Sequence, residues 1–405
     1  MSMGKRRGKQ SSMWVAGSHV RGPGHRFYEA LNTLLAEAKF DQHVEELCAP
    51  YYESDGTVGR PSIPPGTYFR MLLVGYFEGI DSGRGLEWRC SDSLSLKHFL
   101  GFEPHESVPD QSTLSRTADR LDAEVYEEVF ALVLGIVRDH GLLKGKVVGV
   151  DSTYLQADAS MKSIVRRETG DTYKEYLRRL ALDEGNEEPN DEDLRRMDRK
   201  RKGKKTSNKE WESKTDPEAR VARMKDGRTR LAYKAEHVMD METGAILGAD
   251  VYPADSADSA TLESSLENAR EQVDSLDDED DDPPGSPSSD SSPDAPDPPT
   301  EVVADKGYHK AELLLDLKEE GYRTYIPERR QKGRRRWTNK RGGLCAADAF
   351  HQNRARCRRP KGRGHLRKRG EILERSFAHV CETGGQRRTR VRGRGTVARR
   401  SPPAV

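Results

Sequence analysis

Two short apolar runs, far apart in the chain, each end in an aspartate. Residues 147–151 read VVGVD and residues 302–305 read VVAD, so β-branched side chains lead almost directly into the acid. Such runs are too short and too β-branched for helices, and they predict buried strands. Open α/β sheets usually keep their sites at the ends of strands like these. The two runs therefore restrict the chain to a fold with a central sheet and an acidic edge.

A third acidic piece lies in a predicted helix. Residues 371–377 read EILERSF and stand inside an otherwise basic region, so Glu371 and Glu374 are candidates to join the two strand-end acids. Two or three converging carboxylates can hold two Mg²⁺ ions about 3.5–4 Å apart and support phosphoryl transfer. The three pieces together predict a metal-dependent site for phosphoryl transfer.

Charge is strongly segregated although the net charge is only +1. Residues 274–298 contain ten acids and no base, whereas residues 329–369 contain seventeen Lys or Arg and one acid. A basic block of this size is typical of a protein that binds a phosphate backbone. The alternative interpretation is a solvated basic segment without a partner.

The cysteines and the N-terminus indicate an expected location. Five scattered cysteines without a Cys-x-x-Cys pair favour a reducing compartment. The spacing of Cys345, His351, Cys357 and His365 matches no common zinc site. The basic start lacks the apolar core of a signal peptide, and no apolar run has the length of a membrane span. We expect a cytoplasmic, nucleoid-associated protein without a membrane partner.

The first third of the chain is predicted to be helical. After a flexible basic segment, residues 1–24, apolar residues recur at three- and four-residue spacing across residues 25–143. The sequence PDQSTLSR at residues 109–116 predicts a helix start that Asp110 or Ser112 can cap. Arg116 and Arg120 on that helix suit DNA binding in a helix-turn-helix manner. Helix packing or dimerisation explains the same pattern equally well.

The rest of the chain alternates strands with helices. A hairpin at residues 229–252 and a helix at residues 259–273 separate the two strands that end in acids. Residues 144–380 are therefore predicted to form an α/β domain with a ribonuclease-H-like mixed sheet and flanking helices, preceded by the all-helical domain. Within it we expect a polar insertion at about 158–227, an acidic disordered linker at about 274–299 and a basic stretch at 329–369. Residues 381–405 are expected to form an irregular basic tail.

Several pieces in this order resemble the DDE-type transposases of bacterial and archaeal insertion sequences. The matching pieces are VDST at 150–153, SIVRRETG at 163–170, KDGRT at 225–229, AYKAEH at 232–237, VADKGYH at 303–309 and RGEILERSFAH at 369–379. PDQSTLSR at 109–116 is similar to the N-terminal domain that accompanies such enzymes. The similarity covers roughly residues 25–395 outside the acidic linker.

The resemblance implies a catalytic, metal-binding triad of Asp151, Asp305 and Glu374. Glu374 fits the family pattern better than Glu371, because the acid is followed directly by a basic residue, Arg375, and shortly afterwards by an aromatic. The expected cofactor is Mg²⁺ or Mn²⁺, with two ions per site. The implied partners are double-stranded DNA, as terminal inverted repeats and as target, and a second copy of the chain in a homodimer.

Further residues are candidates for contacts with DNA. They are Arg166, Arg167, Lys306, His309 and Arg375, in addition to the two arginines of the capped helix. Each is also explained as a solvated side chain, and His237 on the hairpin is interpreted as structural. Two other functions stay open, a metal-dependent nuclease without strand transfer and a decayed, non-catalytic DNA-binding copy. The altered C-terminal sequence motivates the second of these.

Overall fold

The computed structural model describes residues 24–52, 62–80, 82–186, 188–201, 207–278, 300–329, 337, 343–378, 380–381 and 387–400. Its first part is helical, as predicted. The helices are α1 (Arg26–Glu37), α2 (Phe40–Cys48), α3 (Pro65–Phe77), α4 (Gly83–Ser91), α5 (Leu94–Leu100), α6 (Gln111–Arg120) and α7 (Ala123–Asp139). Asp110 caps α6 by accepting a hydrogen bond from the backbone N–H of Thr113 at 2.7 Å, which confirms one of the two predicted caps.

The helical region has its own apolar core, and α7 connects it to the rest of the protein. Phe40, Phe99 and Leu121 are almost completely buried in that core. Farther along α7, Phe130 and Leu134 pack in a second cluster whose other members lie on the sheet and on a late helix. The two parts of the molecule therefore share an apolar contact through α7.

A mixed six-stranded sheet forms the centre of the second part. Its strands are β1 (Val147–Gln156), β4 (Arg220–Arg223), β5 (Thr229–Asp240), β6 (Ile246–Pro253), β7 (Glu301–Ala304) and β8 (Arg323–Tyr325), while β2 (Ile164–Arg166) and β3 (Trp211–Ser213) form a separate antiparallel pair. β1 pairs antiparallel with β5 and parallel with β7; β6 pairs with β5 and β8 with β7. Antiparallel strands followed by two parallel strands make this a ribonuclease-H-like sheet.

Helices cover both faces of the sheet. The other helices of this part are α8 (Tyr173–Asp183), α9 (Asp191–Lys200), α10 (Asp258–Asp278), α11 (Ala311–Glu319), α12 (Gly343–Arg358), α13 (Pro360–Ala378) and α14 (Arg394–Arg400). Val148 and Val150 of β1 pack with the leucines of α10 and α11 on one face. Because side chains alternate along a strand, Gly149 and Asp151 point to the opposite face, where α7 and α13 pack.

The structure differs from the sequence-based expectation in four segments. The polar insertion contains β2, α8, α9, β3 and β4, and the basic stretch contains α12 and the first half of α13. α10 continues to Asp278, and residues 279–299 of the expected linker lie outside the described residues, as do residues 1–23. The tail is not irregular throughout, because residues 394–400 are helical and Val397 is fully buried against β1 and β5 residues. The sequence of this segment is too polar to predict the helix, and Val397 is the side chain that packs it against the sheet.

Candidate active site

Asp151 and Asp305 lie next to each other on neighbouring parallel strands. Val150 and Ala304 are register partners in the ladder between β1 and β7, so the two acids are the next pair along it. Asp305 directly follows the last residue of β7, and adjacent strands lie about 4.8 Å apart. Residues opposite each other in a parallel pair face the same side of the sheet. Asp151 lies midway along β1, just after the last residue of β1 that pairs with β7, and both carboxylates therefore lie together on the face that α13 covers.

Arg369 of α13 reaches both carboxylates. Its Nη1 atom lies 2.8 Å from Oδ2 of Asp151, and its Nη2 atom lies 3.9 Å from Oδ1 of Asp305. Burial raises the pKa of Asp151, and the Arg369 guanidinium and the Ser152 backbone N–H oppose this rise, while Asp305 adds to it. Burial thus raises the pKa of Asp151 more than the Arg369 guanidinium lowers it. Additional positive charge beside the two carboxylates would favour their ionised form.

Glu374 lies on a different face of α13 from the side chains that pack on the sheet. Leu373 and Phe377 of α13 are buried against the sheet, whereas Glu374 is exposed and lies about 100° around the helix from Leu373. Glu371 is also exposed and lies about 200° from Leu373, on the far side of α13. Within the described part of the chain, no three His, Cys, Asp or Glu side chains form a group that could hold a metal ion.

His237 packs beside Asp151. The two residues are register partners between β5 and β1, and the imidazole stacks on the Phe377 ring with centroids 4.6 Å apart. Burial lowers the pKa of His237 to about 4, so the ring is neutral at physiological pH. The stacked rings bring the C-terminal half of α13 against the strand that neighbours Asp151, and the buried Nδ1 atom of His237 has no hydrogen-bond partner among the described residues.

A set of polar side chains on the opposite face of the sheet was not singled out from the sequence. Lys234 and Glu236 of β5 are 2% and 0% exposed and lie 3.0 Å apart as an ion pair. The Asp258 carboxylate at the start of α10 accepts hydrogen bonds from the Lys234 ammonium and from the Ser152 hydroxyl. The signal was present, because AYKAEH places a base and an acid two residues apart on one face of a predicted strand.

Only some of the candidate DNA contacts lie near the acids. Lys306 and His309 belong to or follow the short helical turn Lys306–Tyr308 that comes directly after Asp305, and Arg375 is exposed on α13. Arg329 from the basic stretch folds back onto this turn, where its guanidinium donates to the carbonyl oxygens of Lys306 and Gly307 at 2.9 and 2.8 Å. Positive charge therefore lies close to the edge that holds Asp305.

The other four candidates lie on elements that carry none of the acids. Arg116 is exposed and donates to the Ser112 hydroxyl, and Arg120 lies over the Tyr52 ring at 4.6 Å. Arg166 lies over the Tyr176 ring at 4.9 Å, and Arg167 pairs with Glu212 at 3.6 Å. The ring contacts account for Arg120 and Arg166 without DNA.

The sheet has a ribonuclease-H-like arrangement, and comparison with known families gives the class of protein. Residues 17–120 match the family described as Transposase domain (DUF772), and residues 200–400 match the family described as Transposase DDE domain. The chain belongs to the DDE-type transposases of insertion sequences. Asp151 lies between the two matched ranges, whereas Asp305 and Glu374 lie inside the second.

No curated protein and no solved structure matches the chain. None of the helices that the structure describes combines the length and the apolar character that a membrane crossing requires.

Proposed function

We propose that this transposase cuts DNA at the ends of its insertion sequence and joins the freed 3′-hydroxyl to target DNA. The observation that carries the proposal is the pair Asp151 and Asp305, held side by side where the parallel pairing of β1 with β7 ends. Asp151 is partly buried, with a side chain 24% exposed, and Asp305 is more open at 45%. This leaves one carboxylate anchored and the other accessible to a phosphate.

The donor atoms at this edge suit divalent metal ions, which DDE-type transposases generally use. Carboxylate oxygens are the ligands that Mg²⁺ and Mn²⁺ prefer. The Arg369 guanidinium between the two acids is a positive group already held at this position. Asp151, Asp305 and Glu374 are the residues proposed to hold two ions. Bound there, the ions would lower the pKa of an attacking hydroxyl and neutralise the departing oxygen.

The protein's own groups supply position and charge. β1 and β7 fix the two aspartates, and α13 carries both Arg369 and Glu374, so the placement of that helix decides which charge faces Asp151. Arg329, Lys306 and Arg375 lie close to the acidic edge or on α13 and are proposed to attract the DNA backbone, which gives salt-dependent affinity. We expect two copies to act together on the two ends of the element.

Substitution of either aspartate tests this proposal. We expect Asp151→Asn and Asp305→Asn to abolish cleavage of terminal-repeat DNA and to leave DNA binding nearly unchanged, because affinity comes mainly from Lys and Arg. Glu301→Gln is a matched control. Glu301 also lies on β7 and pairs with a cation of α13, Lys361 at 2.7 Å, but at the opposite end of the strand.

The control should retain cleavage. If Asp151→Asn loses binding and cleavage together, or if Glu301→Gln loses cleavage as fully as Asp305→Asn, the two aspartates are structural. A strand-transfer assay with pre-cleaved ends separates a transposase from a nuclease of the same fold. The nuclease alternative predicts cleavage without joined product, and a decayed copy predicts binding alone.

A further inference from the structure

The polar side chains beneath the acidic edge form one continuous group, here called the buried network. Its members are Ser152, Lys234, Glu236, Asp258, Thr261, Ser265 and Tyr308. Glu236 accepts hydrogen bonds from the hydroxyls of Thr261 and Ser265, both at 2.8 Å, and of Tyr308 at 2.9 Å. The Lys234 ammonium, 3.0 Å from Glu236, also donates to the Thr261 hydroxyl at 2.8 Å. Each of these buried charges is therefore paired and hydrogen-bonded.

The buried network contacts the backbone beside both aspartates. Ser152 follows Asp151 directly; its backbone N–H donates to Asp151 Oδ1 at 2.8 Å, and its hydroxyl donates to Asp258 Oδ1 at 3.2 Å. Tyr308 ends the short turn that begins after Asp305, and its backbone N–H donates to the Asp305 carbonyl oxygen at 3.1 Å. The part of β1 that carries Asp151 and the turn after Asp305 are thus joined through one set of hydrogen bonds.

Asp258 holds this turn closely. A Cβ atom at Gly307 would lie 2.4 Å from Asp258 Oδ2, so only glycine allows the turn to approach the carboxylate this far. Burial, and after it the Glu236 carboxylate, raise the pKa of Tyr308 far above its usual range, so the phenol stays protonated and donates. These contacts leave the turn little freedom relative to β1.

Burying a lysine and a glutamate in this way does not by itself favour stability. Taking two charges out of water costs several kcal/mol per ion, and apolar residues of similar volume usually fill such a space as well or better. Buried polar groups in some proteins instead specify a unique geometry. The geometry that this network specifies is the position of Ser152 relative to the turn after Asp305.

We propose that the buried network is a positioning device for the active site, which sets the spacing of Asp151 and Asp305 so that the two carboxylates bind a divalent cation together. The proposal rests on the function proposed above. Lys234, Glu236, Asp258 and Tyr308 are positioning residues, because each acts through the backbone of the strand ends. Groups that orient metal ligands from behind typically change metal affinity or activity by about 10–100-fold when they are removed.

Tyr308→Phe tests the proposal with the full-length protein, because it removes one hydroxyl and keeps the ring. Tyr325→Phe is the matched control. Tyr325 is 2% exposed against 1% for Tyr308, and its hydroxyl donates to Glu301 at 3.0 Å, at the other end of β7. Mn²⁺ binding is measured without DNA, from the electron paramagnetic resonance signal of free Mn²⁺, and DNA cleavage is measured against Mg²⁺ concentration.

We expect Tyr308→Phe to weaken Mn²⁺ binding about tenfold or more and to raise the Mg²⁺ concentration for half-maximal cleavage similarly. We expect Tyr308→Phe and Tyr325→Phe to lower the unfolding temperature by comparable amounts. Tyr325→Phe should change neither the Mn²⁺ affinity nor the Mg²⁺ concentration for half-maximal cleavage. If the two variants change the Mn²⁺ affinity and the Mg²⁺ dependence of cleavage equally, the buried network has no positioning role. If Asp151→Asn and Asp305→Asn keep wild-type Mn²⁺ affinity, the proposed function fails instead. Should Tyr308→Phe not fold, Ser152→Ala, which removes a half-buried hydroxyl, is judged by the same criteria.

Discussion

Asp250 shows how burial, with nearby carboxylates, changes the pKa of a single residue. It lies on β6, away from the acidic edge, and burial raises its pKa to about 6, while hydrogen bonds from Asn268 and Ser265 oppose the rise. A carboxyl group whose pKa is higher in the folded than in the unfolded state binds more protons when folded. Its contribution to stability is therefore present at low pH and is lost as pH rises between the unfolded and folded pKa values.

We expect Asp250→Asn to remove this pH dependence. Between pH 4.5 and 7.5 the wild-type protein should lose about 2 kcal/mol of unfolding free energy through Asp250, and the variant should not, because asparagine does not titrate. Urea denaturation of both proteins at the two pH values measures the difference. A difference between the two proteins that stays constant with pH would show that Asp250 titrates normally.

Sequence patterns predict some residues of the site and miss others, and the difference has a physical reason. Asp151 and Asp305 are visible because each ends a β-branched run, and a strand end is a local property. The position of Arg369 beside Asp151 depends on how α13 crosses the sheet, 218 residues later in the chain. The same dependence decides between Glu371 and Glu374, whose choice stays a prediction. The face to which a strand side chain points can be read from the alternation of the sequence. The neighbours of a helix side chain depend on how the helix packs, which the sequence does not show.

At the scale of elements, the approach of α13 to the sheet depends on a glycine. A Cβ atom at Gly149 of β1 would lie 2.4 Å from Met241 Sδ and 2.7 Å from Leu373 Cδ1. Two residues before Asp151, the missing side chain lets the helix that carries Arg369 and Glu374 lie close to the strand. The helix can therefore present its polar residues to the strand ends.

We expect Gly149→Ala to destabilise the protein by about 1–3 kcal/mol through overpacking and to lower the cleavage rate by displacing α13. Gly364→Ala is the matched control on α13, because a Cβ atom there meets nothing within 4 Å. In a helix interior this change should stabilise by about 1 kcal/mol and leave cleavage unchanged. Thermal denaturation measures the stability of both variants, and single-turnover cleavage measures their rates. A Gly149→Ala protein with wild-type stability and rate would contradict the prediction.

Element prediction from sequence succeeded where apolar periodicity was strong. The hairpin of β5 and β6 and the strand β7 match the predicted strands, whereas β1 continues beyond its predicted end at Asp151 to Gln156. α12 was missed because its buried face consists of Ala346, Ala347, Ala349, Phe350 and Asn353, which give little hydrophobic contrast among many arginines. The side chain of Asn353 bonds both the backbone N–H and the carbonyl of Ile326, so this helix is held partly by a polar contact that no periodicity reveals.

At the scale of the whole molecule, we expect the acidic segment at residues 274–298 to oppose the basic segment at residues 329–369 in DNA binding. Six aspartates lie between residues 280 and 297, outside the described residues, and replacing all six with asparagine changes the net charge from +1 to +7. We expect this variant to bind DNA more tightly at low salt, with the advantage shrinking toward 0.5 M salt as screening grows. Fluorescence anisotropy across a salt series measures it. Unchanged affinity at low salt would show that the acidic segment does not compete with DNA.

The pairing of β1 has a consequence for the time course of synthesis. Val147 pairs with Glu301, and the strand that carries Asp151 therefore leaves the ribosome 154 residues before its parallel partner begins. At about 5–20 residues per second, β1 waits roughly 8–30 s for β7. Until then one edge of the central strand is unpaired, and Asp305 has not yet been made. A nascent chain therefore acquires the pair of carboxylates only after most of its sequence has been translated, which delays any cutting of DNA until the surrounding fold is largely in place.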